Sequence, residues 1–217
     1  MIGLVIATVL QTVVFFTVGN LSDNAHVVWC GMDDYIPFVP VFAIPYVLWF
    51  GYIAVGLISF WLFRRRSERD HREFVRTMWV LGLGLIYCTI FYIIVPTRIP
   101  YAAKPVVADD GKFLSWLLEV VYGNNVANNA LPSEHCYVSM ALCLGFWRAP
   151  ALMASKHRFW VLPACTLLSL SICAATVLIK QHSILDFFAS LMLFVVICLI
   201  VYRIPWGRTN SKEQPAK

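Results

Sequence analysis

Residues 182–203 read HSILDFFASLMLFVVICLIVYR. From Ile184 onward the run is long and oily enough to cross a bilayer, which takes about 20 apolar residues. Asp186 is its one acid, set among Ile184, Leu185, Phe187 and Phe188. An ionisable group at the edge of a membrane span is costly and marks function. His182 stands four residues before Asp186, so the two side chains share one face if the helix reaches back that far. The plain alternative is that Asp186 favours the positive end of the helix while His182 sits at the interface.

Similar apolar stretches recur along the chain at 2–19, 40–63, 75–95, 133–149 and 160–179. Of the 217 residues, 60% are hydrophobic and 13% charged, with a mean hydropathy of +0.72. A soluble domain carries about 25% charged residues. The excess of apolar side chains belongs in lipid, and the expected fold is an all-α bundle of six transmembrane helices. Residues 1–206 form one membrane domain, and 207–217 read as a disordered cytoplasmic tail. Segment 2–19 has no Lys or Arg before it and exceeds a signal-peptide core of roughly 7–15 residues, so it is expected to be a retained helix. Pro45 predicts a kink in the second span.

Orientation follows from the cations. Arg64, Arg65, Arg66, Arg69, Arg72 and Arg76 follow the second span; Arg148, Lys156 and Arg158 follow the fourth; Arg203, Arg208, Lys212 and Lys217 follow the sixth. No Lys or Arg lies between Asn20 and Pro40. Both termini are therefore expected in the cytoplasm, and the long loop 96–131 on the outer face. The net charge of +5 is read as a topology signal with possible contacts to anionic lipid heads, not as a nucleic-acid footprint. The seven cysteines show no CxxC pair, which argues against a zinc site; no metal or cofactor is expected. Asp33 and Asp34 read as a cap for the second span, or as hydrogen-bond partners of a hydroxylated head group. Trp29, Tyr46, Trp49, Trp116 and Trp160 read as interface or lipid-facing residues.

The same outer face receives a second motif, Asn128-Asn129-Ala130-Leu131-Pro132-Ser133-Glu134-His135. Proline suits the first helical position, which would make Leu131 the N-cap. Free amides at a helix start favour an anion such as phosphate, Ser133 adds a hydroxyl, and a protonated His135 is able to donate to a leaving oxygen. In the other motif, a carboxylate one turn from His182 fixes one ring nitrogen and leaves the other as nucleophile or base. Cations for phosphoryl oxygens come from Arg98, Lys104, Lys112 and Lys180. Arg98 and Lys180 lie closest to span ends, with interfacial anchoring as the alternative for both.

Pro132-Ser133-Glu134-His135 resembles the PSGH motif of the type 2 phosphatidic acid phosphatase superfamily, and TVLIKQHSILD (176–186) resembles its last motif, a histidine followed four residues later by an aspartate. The wider run YGNNVANNALPSEH is most similar to the inositolphosphotransferase-like branch, which includes inositol phosphorylceramide synthases. The resemblance covers about 90–190. It implies a six-helix bundle with a metal-independent site: His182 as the nucleophile forming a phosphohistidine, Asp186 orienting it, His135 protonating the leaving group, and Ser133 with nearby amides holding phosphate. PTRIPYAAKP (96–105) departs from the superfamily's first motif, leaving Arg98 and Lys104 as candidates for its cations. Thr176 stands where the last motif has arginine, so Lys180 is the candidate replacement, and Glu134 replaces a glycine. The function implied is phosphoryl or head-group transfer from a phosphorylated lipid to water or to an alcohol. The altered first motif and the missing arginine leave open a catalytically degenerate relative acting as a transporter or interaction protein.

Overall fold

The computed structural model of the protein describes residues 25–100, 112–123 and 129–203. Among them are eight α-helices: α1 (Gly31–Tyr35), α2 (Ala43–Phe63), α3 (Glu68–Ile94), α4 (Phe113–Gly123), α5 (Glu134–Arg148), α6 (Pro150–Met153), α7 (Arg158–Leu178) and α8 (Ile184–Arg203). Two short strands, β1 (His26–Val27) and β2 (Thr97–Arg98), pair in parallel.

Four helical segments are long and apolar enough to cross a membrane: Pro40–Phe63, Glu68–Ile94, Arg158–Leu178 and Ile184–Arg203. Six were expected. Segment 2–19 lies outside the described residues, as does the tail 207–217. The remaining difference is α5, whose 15 residues rise only about 22 Å at 1.5 Å each, short of a hydrocarbon layer of about 30 Å. It is instead the axis of the bundle. Tyr137, Val138, Ala141, Leu142 and Phe146 of α5 pack against Tyr52 and Phe60 of α2, Val80 and Leu81 of α3, Ile172 of α7, and Ile197 and Val201 of α8. A helix enclosed by protein has no need to match the bilayer.

Close approach to α5 depends on a missing side chain. A Cβ on Gly84 would lie 2.0 Å from the Tyr137 ring, so this α3 position must be glycine for the ring to lie flat. The Tyr137 hydroxyl then donates to Val80 O at 2.6 Å.

Helix α3 begins seven residues before the expected start at 75. Ser67 caps it by accepting from Asp70 N at 3.0 Å, and Glu68 and Asp70 occupy its first turn, where acids suit the helix dipole. Asp70 also accepts from Ala151 N at 2.8 Å, and Glu73 pairs with Arg76 and Arg148. These contacts tie one end of the bundle together, next to the arginine-rich turn 64–66. Pro45 is the third residue of α2, in a first turn where a missing N–H costs little; the kink expected from an interior proline does not apply. Helix α4 was unforeseen within the long loop. Its Leu117, Leu118 and Val121 pack on Ala43 and Tyr46 of α2 and on Ala175 and Ile179 beside the end of α7.

Candidate active site

Alternating helix directions carry the starts of α2, α5 and α8 and the ends of α3 and α7 to one end of the bundle. There the two histidine motifs meet. The His135 and His182 rings lie 6.0 Å apart, centroid to centroid, at 58°. A reacting contact needs about 3–3.5 Å, so one phosphoryl group fits within reach of both rings.

The turn 179–183 sets up His182. Helix α7 closes when Gln181 N and His182 N both donate to Thr176 O, at 3.0 and 2.9 Å. Lys180 takes the left-handed conformation, φ 55°, which costs a non-glycine residue on the order of 1 kcal/mol. Its ammonium repays this by donating to Asp33 O at 2.8 Å and Ile36 O at 2.5 Å. The Lys180 side chain is buried, and its ammonium staples the turn to α1.

His182 Nδ1 lies 3.0 Å from Asp186 Oδ2 and 2.9 Å from Ala130 O. Both neighbours are acceptors, so Nδ1 carries the proton and Nε2 holds the lone pair of the neutral ring. Burial disfavours the imidazolium, but the hydrogen bond and charge of Asp186 outweigh it and hold the His182 pKa above its ordinary value. Asp186 Oδ2 also accepts from Ser183 N at 3.0 Å.

Asp33 completes this half of the site. Its Oδ2 accepts from Ser183 Oγ at 2.6 Å and Cys30 N at 2.9 Å, and its Oδ1 from Ile184 N at 2.8 Å. The residue does cap a helix, as expected, but the cap is on α1 and α8 rather than the second span. Burial opposes its charge, yet these donors together hold its carboxyl below the usual value.

The other half is the start of α5. Its N-cap is Ser133, two residues later than the expected Leu131. The preceding groups are engaged elsewhere: Ala130 N and Leu131 N donate to Thr97 O and Oγ1 at 3.0 and 2.9 Å, and Pro132 O accepts from the Tyr92 hydroxyl at 2.6 Å. Ser190 Oγ lies 2.9 Å from Ser133 O and 2.7 Å from Asp186 O, joining α5 to α8. Ser133 Oγ is buried beside the Cys136 thiol, a weak partner, and His135 Nε2 is buried with no hydrogen-bond partner among the described residues. The His135 ring is held between Tyr46, at 4.3 Å, and Trp49, at 4.2 Å. These two aromatics are walls of the site rather than the belt residues expected. Nothing local in the sequence distinguishes them from other apolar-span aromatics, because the contact depends on how α2 packs on α5.

Arg98 lies at this end, in β2 beside Thr97, and its carbonyl accepts from Val28 N at 2.9 Å. Lys104 lies outside the described residues. Thr176 is fully buried, its hydroxyl donating to Cys173 O at 2.8 Å. Glu134 is buried and interacts electrostatically with Cys88 and Tyr92 of α3. Among the described residues no group of three His, Cys, Asp or Glu side chains is arranged to hold a metal ion.

A family model, the PAP2 superfamily, matches residues 88–210. The chain belongs to the PAP2 superfamily. No curated protein and no solved structure matches the chain. Membership in the superfamily, together with four helices able to cross a membrane, fits a membrane lipid phosphatase and suggests phosphatase or phosphotransferase activity. Asp33, Tyr46 and Trp49 all fall outside the matched residues.

Proposed function

We propose that this PAP2 protein is an integral membrane phosphatase or phosphotransferase that passes a phosphoryl group from a phosphorylated lipid through His182. The observation that carries the reading is the His182–Asp186 pair, which leaves Nε2 as the free nucleophile 6.0 Å, ring to ring, from His135. In the first step Nε2 attacks phosphorus and the bond to the lipid oxygen breaks. Burial and the neighbouring His182 hold the pKa of the His135 imidazole below its ordinary value in the empty site; the charge of the bound phosphoryl group favours the protonated ring, which gives its proton to that lipid oxygen, and Asp186 balances the charge on the phosphorylated His182. In the second step water or a lipid or polyol hydroxyl attacks the phosphohistidine, His135 takes the proton released, and His182 is regenerated.

Ser133 Oγ and the first amides of α5 hold the phosphoryl oxygens. All of these steps use side chains and amides of this chain alone. The run 122–135 supports the inositolphosphotransferase-like branch, in which an alcohol replaces water as acceptor. The cations crowd the opposite end of the bundle, at 64–66, 148, 158 and 203. That distribution supports a cytoplasmic basic end and an extracytoplasmic site.

A second reading, a catalytically degenerate relative with a transport or interaction role, draws on the buried Thr176 and on the engagement of Lys180. The test is to incubate purified protein with phosphatidate labelled at phosphorus and quench in alkali, where phosphohistidine survives. Label on the parent protein and its loss in His182→Ala, with turnover reduced on the order of 10⁴-fold or more, is the expected result. Equal turnover in the two proteins would refute the proposal.

A further inference from the structure

We propose that Asp33 is a positioning residue for the His182 nucleophile, acting through Ser183 and the first turn of α8. The inference rests on the phosphoryl-transfer reading above. Asp33 is separated from Ser183 by 150 residues and lies outside the segment matched by the family model.

Three observations carry it. Asp33 Oδ2 and Oδ1 hold Ser183 Oγ and Ile184 N, the two residues that follow His182. Ser183 is in turn the residue whose backbone N–H fastens Asp186 Oδ2, the atom that fixes the His182 ring. The segment bearing Asp33 is anchored independently: Lys180 Nζ holds Asp33 O and Ile36 O, and Val39 N donates to Leu178 O at 3.0 Å. A carboxylate is required because Oδ2 must accept from two donors, Ser183 Oγ and Cys30 N, while Oδ1 accepts from Ile184 N. An amide at this position presents N–H groups toward one of these sets and breaks it.

The Asp33 contacts also decide which helix start takes the ligand. The first amides of α8 are already turned onto the carboxylates of Asp33 and Asp186, so an incoming phosphoryl group meets an occupied helix end there. It is directed to the start of α5. Errors of about 1 Å in a nucleophile's position cost up to about 100-fold in rate, which sets the expected size of the effect.

The test uses the full chain in lipid nanodiscs, with phosphatidate as the probe substrate. Asp33→Asn is expected to lower kcat about 10–100-fold with KM changed less than about threefold. Ser183→Ala, which removes the linking hydroxyl, is expected to lower kcat several-fold. Because the two act along one path, the double variant is expected to be no slower than Asp33→Asn. A readout independent of turnover is the tautomer of His182 in protein labelled with 15N-histidine, identified by its absence in His182→Gln. The parent should show protonated Nδ1 alone, and both variants a mixture with protonated Nε2.

If Asp33→Asn does not fold, Ser183→Ala decides by the same two readouts. Folded variants with the parent's kcat and a single Nδ1–H tautomer would overturn the proposal. If the parent itself fails to turn over phosphatidate, the catalytic reading fails separately, and the tautomer alone decides whether Asp33 positions the ring.

Discussion

Two helix starts face each other across the candidate site, and they are finished in opposite ways. At α8 nearly every donor is used internally: Ile184 N on Asp33, Ser183 N on Asp186, Ser183 Oγ on Asp33, and Leu185 N on Ser183 Oγ at 3.1 Å. At α5 the N-cap side chain caps nothing: Ser133 Oγ meets the Cys136 thiol, a weak partner, and His135 Nε2 is buried without a partner among the described residues. A buried polar group left unsatisfied costs about 1–3 kcal/mol, and a bound phosphoryl group would supply the partner that His135 Nε2 lacks. On the proposed reading the difference separates the tasks: the closed start would hold the nucleophile in one orientation, and the open start would keep donors for the ligand.

The sharpest way to break this division is at the open side. His135→Ala should reduce turnover of phosphatidate about 10²–10⁴-fold, the range for loss of a general acid. It should cost far less with p-nitrophenyl phosphate, whose leaving group departs without a proton. An equal loss on both substrates would remove His135 from the acid role.

On the closed side, Asp186→Asn should lower the maximal rate about 100-fold and also shift its pH dependence. Only neutral His182 attacks, so parent activity rises as pH climbs through a His182 pKa held above its ordinary value. Removing the carboxylate takes away the interaction that raises it, and the acid limb should therefore move to lower pH. A limb that moves upward or stays in place contradicts the assigned tautomer.

The smallest of the three effects should come from Ser133→Ala. Its hydroxyl meets only a weak partner in the described protein, the Cys136 thiol, so melting temperature should change little. Binding of orthovanadate, measured by inhibition, should weaken by about 1.5–3 kcal/mol, or roughly 10–100-fold, as for loss of a hydrogen bond to a charged group. A destabilised variant with unchanged inhibition would show that the open start is merely structural.

Periodicity, hydropathy and the two motifs were enough to mark residues 40–63 and 184–203 as candidate spans, and to single out His135, His182, Asp186 and Ser133, which packing brings to one end of the bundle. These readings depend on neighbours close in the chain: a run of apolar residues, a proline before a helix, a carboxylate one turn from an imidazole. The start of α3 at Glu68 was hidden because its first turns are charged, and the signal for it is the cap at Ser67 rather than any oily run. The partners of Lys180 were not legible, because a lysine beside a histidine motif carries no mark of where its ammonium will lie. Only packing brought Asp33 O and Ile36 O to it.

What the amino-acid sequence determined by itself is the solvent this chain belongs in and the chemical groups it brings to one face, because both follow from side-chain type and from spacing within a single helix. What tertiary structure decided is the allocation of those groups. The bundle encloses α5, sets Tyr46 and Trp49 against His135, and delivers Asp33 to a turn 150 residues away. Those contacts join segments remote in sequence, and their geometry exists only once the helices have packed.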